Sequence, residues 1–119
     1  MFLSIFFIEF LCQKGIIKTM AINRDDIFHF EYFDYGERFH GSYRGMRYAI
    51  AREPLEKVVQ KSPEEKAEGS IRLSVWPEPF AFDKTPPEQI IHEDFPYSEE
   101  GVRMAVDRLN ELWERDYAS

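Results

Sequence analysis

The sequence predicts a two-layer α+β domain, an antiparallel meander of three or more strands with a carboxyl-terminal amphipathic helix packed on one face. Three observations carry this. Ile27 to Tyr35, His40 to Arg52 and Ser70 to Trp76 alternate side chains with period 2, the mark of half-buried strands. Val102, Ala105, Val106, Leu109, Leu112, Trp113 and Tyr117 follow the i, i+3, i+4, i+7 rule, which gives a helix one apolar stripe. The chain has 119 residues, 44% of them apolar, and a single cysteine. A chain of that size buries roughly 65% of its unfolded surface, enough for one core without disulfides.

The amino end stands apart from this pattern. Met1 to Cys12 (MFLSIFFIEFLC) is apolar but interrupted by Glu9, and it is far short of the roughly 20 residues that span a bilayer. No Lys or Arg precedes Lys14 and no small-residue cleavage site follows, so a signal peptide is not expected. The Glu-Phe-Leu before Cys12 lacks the small residues of a lipoprotein site. Gln13 to Met20 back-translates to a purine-rich AAGG tract shortly before an ATG, as in a bacterial ribosome-binding site. Residues 1–19 are therefore expected to be an upstream-translated extension or a flexible amino-terminal segment, with residues 20–119 forming the single α+β domain. The alternative is an amino-terminal helix or strand docked on that domain.

The elements then follow in order. In Ile27 to Tyr35, Phe28, Phe30 and Tyr32 lie on one side and His29 and Glu31 on the other. Gly36 to Phe39 supplies a turn, and His40 to Arg52 places Met46, Tyr48 and Ile50 on one face and Tyr43, Gly45, Arg47 and Ala49 on the other. These two runs predict an antiparallel hairpin, with a bulge or close approach at Gly45. Pro54 to Gly69 mixes Lys and Glu around Leu55, Val58 and Val59, and Ser62-Pro63-Glu64-Glu65 has the form of a helix start. A turn or two of helix and a mobile loop both suit it. In Ser70 to Trp76, Ile71, Leu73 and Val75 point inward and Arg72, Ser74 and Trp76 outward.

Pro77 and Pro79 end that ladder because proline has no N–H to give, leaving Trp76 to Phe80 (WPEPF) extended. Thr85-Pro86-Pro87-Glu88 has capping-box spacing for a short helix, and His92 to Tyr97 is extended. Ser98 caps a last helix running from about Glu99 to Tyr117. Glu99 with Arg103 and Glu111 with Arg115 make i, i+4 pairs worth about 0.3 kcal/mol each.

Composition excludes several functions. With 15 Lys and Arg against 22 Asp and Glu the net charge is -7, so the broad positive field that draws nucleic acid or anionic membranes is missing. The 16% aromatic content argues against disorder. Cys12 alone can form neither an internal disulfide nor a multi-cysteine zinc site, and His29, His40 and His92 lack ligand spacing, so neither metal nor cofactor is expected. No G-x-S-x-G elbow, phosphate-binding loop or dinucleotide fingerprint occurs. Arg44 to Ala51 matches the RNA-recognition strand motif only at Arg44, Gly45 and Tyr48.

Charge is polarised along the chain. Gly36 to Ala67 holds seven basic and five acidic residues, whereas Thr85 to Ser119 holds nine acids and three arginines. Such polarity suits partner association steered by charge.

With the helix over one face of the sheet, the other is expected to be open and to carry His29, Glu31, Tyr43, Arg47, Arg72, Ser74 and Trp76. The expected binding surface is His29, Glu31, Tyr43, Arg47, Arg72 and Trp76, and no residue is assigned a catalytic role. The bland alternative is a solvated face whose charges pair across strands. GSYRGMRYAI (Gly41 to Ile50), WPEPF and the stretch from Phe95 to Trp113 resemble short bacterial proteins of about 100 residues with no established activity. That resemblance implies a small stand-alone cytoplasmic protein and supplies no catalytic residue.

The expected function is a small non-enzymatic protein-interaction or regulatory module, acting on a protein partner or by homodimerising through the open face. The alternative is a small anionic ligand or an enzyme site on the same face, with Arg47 and Arg72 holding the anion and His29 and Glu31 moving a proton. Nucleic acid ranks third, and no membrane partner is expected.

Overall fold

Residues 21–118 are described by the computed structural model, so the expectation for residues 1–19 lies outside the described residues. The strands are β1 (Phe39–Tyr43), β2 (Met46–Glu53), β3 (Ser70–Pro77) and β4 (Ile91–Pro96); the helices are α1 (Pro63–Lys66) and α2 (Glu99–Asp116). Short 3₁₀ turns occupy Arg24–Asp26, Phe30–Tyr35, Phe82–Lys84 and Pro87–Gln89. The strands form a four-stranded antiparallel meander in the order β1-β2-β3-β4. The α+β reading holds, with α2 on one face of the sheet.

The first hairpin differs from the sequence reading. Residues 27–35 are not a strand, because a 3₁₀ turn over Phe30–Tyr35 satisfies the same aromatic residues. Its three-residue period puts Phe30 and Phe33 on one side. Phe33 is fully buried, and the Phe30 ring lies 4.8 Å from that of Tyr97. The hairpin forms instead within the second run, which folds back at Arg44 and Gly45 with φ of 41° and 94°. Positive φ at both central positions is what a two-residue hairpin turn matched to strand twist demands. Gly45 is therefore the turn and not a bulge.

The register runs from Phe39↔Ile50 to Tyr43↔Met46 across β1 and β2, and Ile50↔Leu73 and Leu73↔Glu93 continue it across the sheet. Met46, Tyr48 and Ile50 of β2 and Ile71, Leu73 and Val75 of β3 thus share one face. They pack against Val102, Ala105, Val106, Leu109 and Leu112 of α2. The segment before β1 covers the rest of this face: Ile22, Ile27 and Phe33 join the core. The Asn110 side chain exchanges two hydrogen bonds with the Ile22 backbone at 2.8 and 2.9 Å, and Arg24 grips Glu99 at 2.7 and 2.8 Å.

The start of α2 is fixed from two sides. Gly101 N–H donates to Ser98 Oγ at 3.0 Å, the expected N-cap bond. A Cβ on Gly101 would sit 1.7 Å from the Pro96 carbonyl oxygen, so only glycine lets the first turn lie against the end of β4. The Glu99/Arg103 pair forms at 3.2 Å. The expected Glu111/Arg115 pair is replaced: Arg108 takes Glu111 and also reaches Glu93, and Arg115 pairs with Asp116.

The stretch before β3 is held by buried charge. Ser62 and Glu65 close a capping box on the single turn of α1. Arg52, 2% exposed, donates to Pro54 O, Glu56 and Lys66 O at 2.9–3.1 Å and lies 5.1 Å from the Tyr97 ring. Asp34 accepts from both Lys66 Nζ and the Tyr97 hydroxyl. Burial, and then that bond to Asp34, push the Tyr97 hydroxyl far above its ordinary pKa. These contacts tie residues 52–66 to the sheet on its core side.

Candidate functional site

The face away from α2 is organised by strand register into rows. One row reads His40, Ala49, Ser74 and His92; the next reads Ser42, Arg47 and Trp76; the third reads Ala51, Arg72 and Asp94. Ala49, Ala51 and Ser74 are small, so the middle of this face is a trough between larger side chains. The chain leaving β3 bends back over it. Trp76 Nε1–H donates to Phe80 O and the Thr85 hydroxyl donates to Ala81 O, each at 2.8 Å. Thr85 therefore holds this bend instead of capping a helix, and only one 3₁₀ turn follows at Pro87–Gln89.

Held this way, Phe82 lies over the trough. Its ring centroid is 5.2 Å from Trp76 and 6.4 Å from His92, and the Arg38 guanidinium sits 4.9 Å from its centre. Two openings border it. A cleft of about 480 Å³ is lined by Arg38, His40, Arg47, Trp76, Phe82 and Asp83, among others. A cavity of about 80 Å³ is lined by Phe82 and, on the sheet, by Ala49, Ala51, Ser74 and His92, together with Arg38, Arg52, Arg72 and the carboxylate Glu53.

Charge distinguishes the larger cleft. Arg38 and Arg47 have no carboxylate partner among the described residues, and Arg47 Nε is buried without any hydrogen-bond partner. Asp83 is the one acidic residue in the lining. Burial, and then the neighbouring Arg38 charge, lower the His40 pKa below its ordinary 6.5, so the ring is neutral at pH 7. Arg72 is different: Asp94 takes it with two bonds at 2.8 and 3.1 Å and Glu53 stands 3.8 Å away. That pairing raises the Arg72 pKa and lowers that of Asp94.

The expected binding surface is thus only partly assembled. Arg47, Arg72 and Trp76 share the face away from α2. Trp76 is 2% exposed, pinning the loop above it and not presented to solvent. His29 and Glu31 lie off the sheet, at the start of the turn Phe30–Tyr35. His29 lines a separate cleft with Phe28, Arg24, Glu99 and Arg103, where Glu99 already pairs with both arginines. Tyr43 is on the α2 side, its ring 5.1 Å from that of Trp113. The Arg47/Arg72 with His29/Glu31 constellation does not come together. Arg38, His40, Phe82 and His92 stand in its place; the registers of β1 and β4 set His40 and His92, and the hydrogen-bonded bend after β3 sets Phe82.

Among the described residues, no group of three or more His, Cys, Asp or Glu is placed to hold a metal ion. No helix among them is long and apolar enough to cross a membrane. No protein-family model matches the chain, and neither the curated proteins nor the solved structures contain a significant match.

Proposed function

We propose that the protein binds a small anion carrying a flat unsaturated ring in the cleft between Arg38 and Arg47. The observation that carries this reading is Arg47, which lines that cleft and whose Nε is buried with no partner. A buried unsatisfied donor costs about 1–3 kcal/mol, and a carboxylate or phosphate recovers it through the forked geometry of the guanidinium. Arg38 supplies a second uncompensated charge, neutral His40 a polar group, and Trp76 and Phe82 an apolar wall. A volume of about 480 Å³ suits a ligand of one or two rings. Binding without chemistry is how a small regulatory module acts, passing ligand occupancy to a protein partner or a second copy.

Thermal denaturation against benzoate, indole-3-acetate, inorganic phosphate and adenosine monophosphate tests it. At ten times Kd a ligand adds about 1.4 kcal/mol, which raises Tm by about 6 °C or more for a domain of this size. The rise is expected for at least one ring-bearing anion and is absent in Arg47→Met. A panel without response, or an equal rise in Arg47→Met, overturns the reading.

A further inference from the structure

We propose that Ser74 is an acyl-accepting nucleophile with His92 as its base, acting on activated esters of small acyl groups. The site adjoins the anion cleft and shares Arg38 and Phe82 with it, but it does not require that cleft to bind an anion. Ser74 and His92 are register partners on β3 and β4, and Ser74 Oγ lies 2.8 Å from His92 Nδ1. With the imidazole proton on Nε2, the hydroxyl donates to Nδ1, the alignment a general base requires. His92 is exposed and makes no further hydrogen bond among the described residues, so its ring can exchange a proton with water.

Around this pair the face is shaped for a small group. Ser74 is 5% exposed, yet it borders the cavity of about 80 Å³ beneath Phe82. Ala49 and Ala51 leave that space, whose volume matches an acetyl-sized group. Arg38, uncompensated by any carboxylate among the described residues, lines the same cavity and can stabilise an oxyanion.

The chemistry balances with water as co-reactant. Ser74 Oγ bonds to the ester carbonyl carbon while its proton passes to His92 Nδ1, and the carbonyl oxygen takes up the negative charge beside Arg38. The carbon–oxygen bond to the leaving alcohol then breaks, and that oxygen takes the proton from His92. Water attacks the acyl-serine, giving one proton to His92, which returns it to Ser74 Oγ as the carboxylic acid leaves. One ester and one water become one acid and one alcohol.

A cross-strand hydrogen bond with no further role would leave Ser74 inert, so reactivity separates the two cases. The full chain is treated with methanesulfonyl fluoride, whose small group suits the cavity and in which an oxygen–sulfur bond forms and fluoride leaves, and the adduct is located by peptide mass spectrometry. One adduct is expected, on Ser74, with p-nitrophenyl acetate hydrolysis lost in the labelled protein. His92→Asn, at an exposed edge position, should slow labelling about a hundredfold or more. Phe82→Ala, which uncovers the cavity, should speed it. Absence of an adduct in both wild type and Phe82→Ala, an adduct elsewhere, or undiminished labelling in folded His92→Asn overturns the proposal.

Discussion

Replacing Arg47 with methionine should stabilise the protein and abolish anion binding together. Arg47 Nε is buried without a partner, and such a donor costs about 1–3 kcal/mol against the unfolded chain, where water satisfies it. The rest of the side chain is only partly buried, so the charge itself adds little to this penalty. Methionine keeps the length of the stem and its packing beside Trp76 while removing the donor. A gain of about 1–2 kcal/mol follows. At a urea dependence of about 1–3 kcal/mol per molar the unfolding midpoint rises by roughly 0.3–2 M with unchanged slope. A ligand at about thirty times Kd gives the wild type about 2 kcal/mol and cancels the difference. Most core and sheet substitutions destabilise, so the sign is informative. An Arg47→Met protein less stable than wild type without ligand would refute the reasoning, since Nε would then have to be satisfied.

Three further outcomes are expected. Gly101→Ala must push the Pro96 carbonyl from 1.7 Å to at least 3.0 Å from the new Cβ. It should cost about 1–3 kcal/mol or more in urea unfolding, and a neutral result would mean α2 is not seated on β4 as described. Trp76→Phe removes the donor to Phe80 O. Hydrogen exchange should accelerate across residues 78–85 and stay slow in α2, at a cost of about 1 kcal/mol; unchanged exchange in the loop would contradict its pinning. His40 has a folded pKa below 6.5 through burial and Arg38. The unfolded chain therefore binds more protons as pH drops below that value, so its contribution to stability is present above pH 6.5 and is lost as pH falls through the lowered pKa. Anion binding should raise the His40 pKa and take up protons, so calorimetric heats near pH 6 should differ between buffers of different ionisation enthalpy. His40→Gln should remove that difference, and its persistence there would assign the uptake elsewhere.

Elements with a long, unambiguous period were legible in the sequence. Seven apolar residues at helical spacing and a serine cap set α2 to within a residue of its observed end, and alternation set β3. The first hairpin was not legible, because Phe28, Phe30 and Tyr32 suit a strand by period and a 3₁₀ turn by bulk. Arg44-Gly45 also lacks the Asn-Gly form that announces a tight hairpin. That misplacement propagated to the site. Tyr43 shares parity with Arg47 on an unbroken strand, but a turn between them resets the alternation, so Tyr43 pairs with Met46 and enters the core side. Arg47, Arg72 and Trp76 kept their face because β2 and β3 are continuous there. Phe82 sits in a loop without periodicity, and its place over the trough comes from the Trp76 and Thr85 hydrogen bonds. That Asp94 neutralises Arg72 follows only from the β3/β4 register.

The most direct test of the anion cleft is the Arg47 Nε–H itself. In isotope-labelled protein its side-chain resonance is identified by its loss in Arg47→Met and followed while a ring-bearing anion such as benzoate is titrated in. The expected result is a saturable displacement of that signal, with the Arg38 Nε–H and the His40 ring moving along the same binding curve. A signal that stays fixed while the ligand saturates the protein, with shifts confined to other surfaces, would contradict the assignment of this cleft as the binding site.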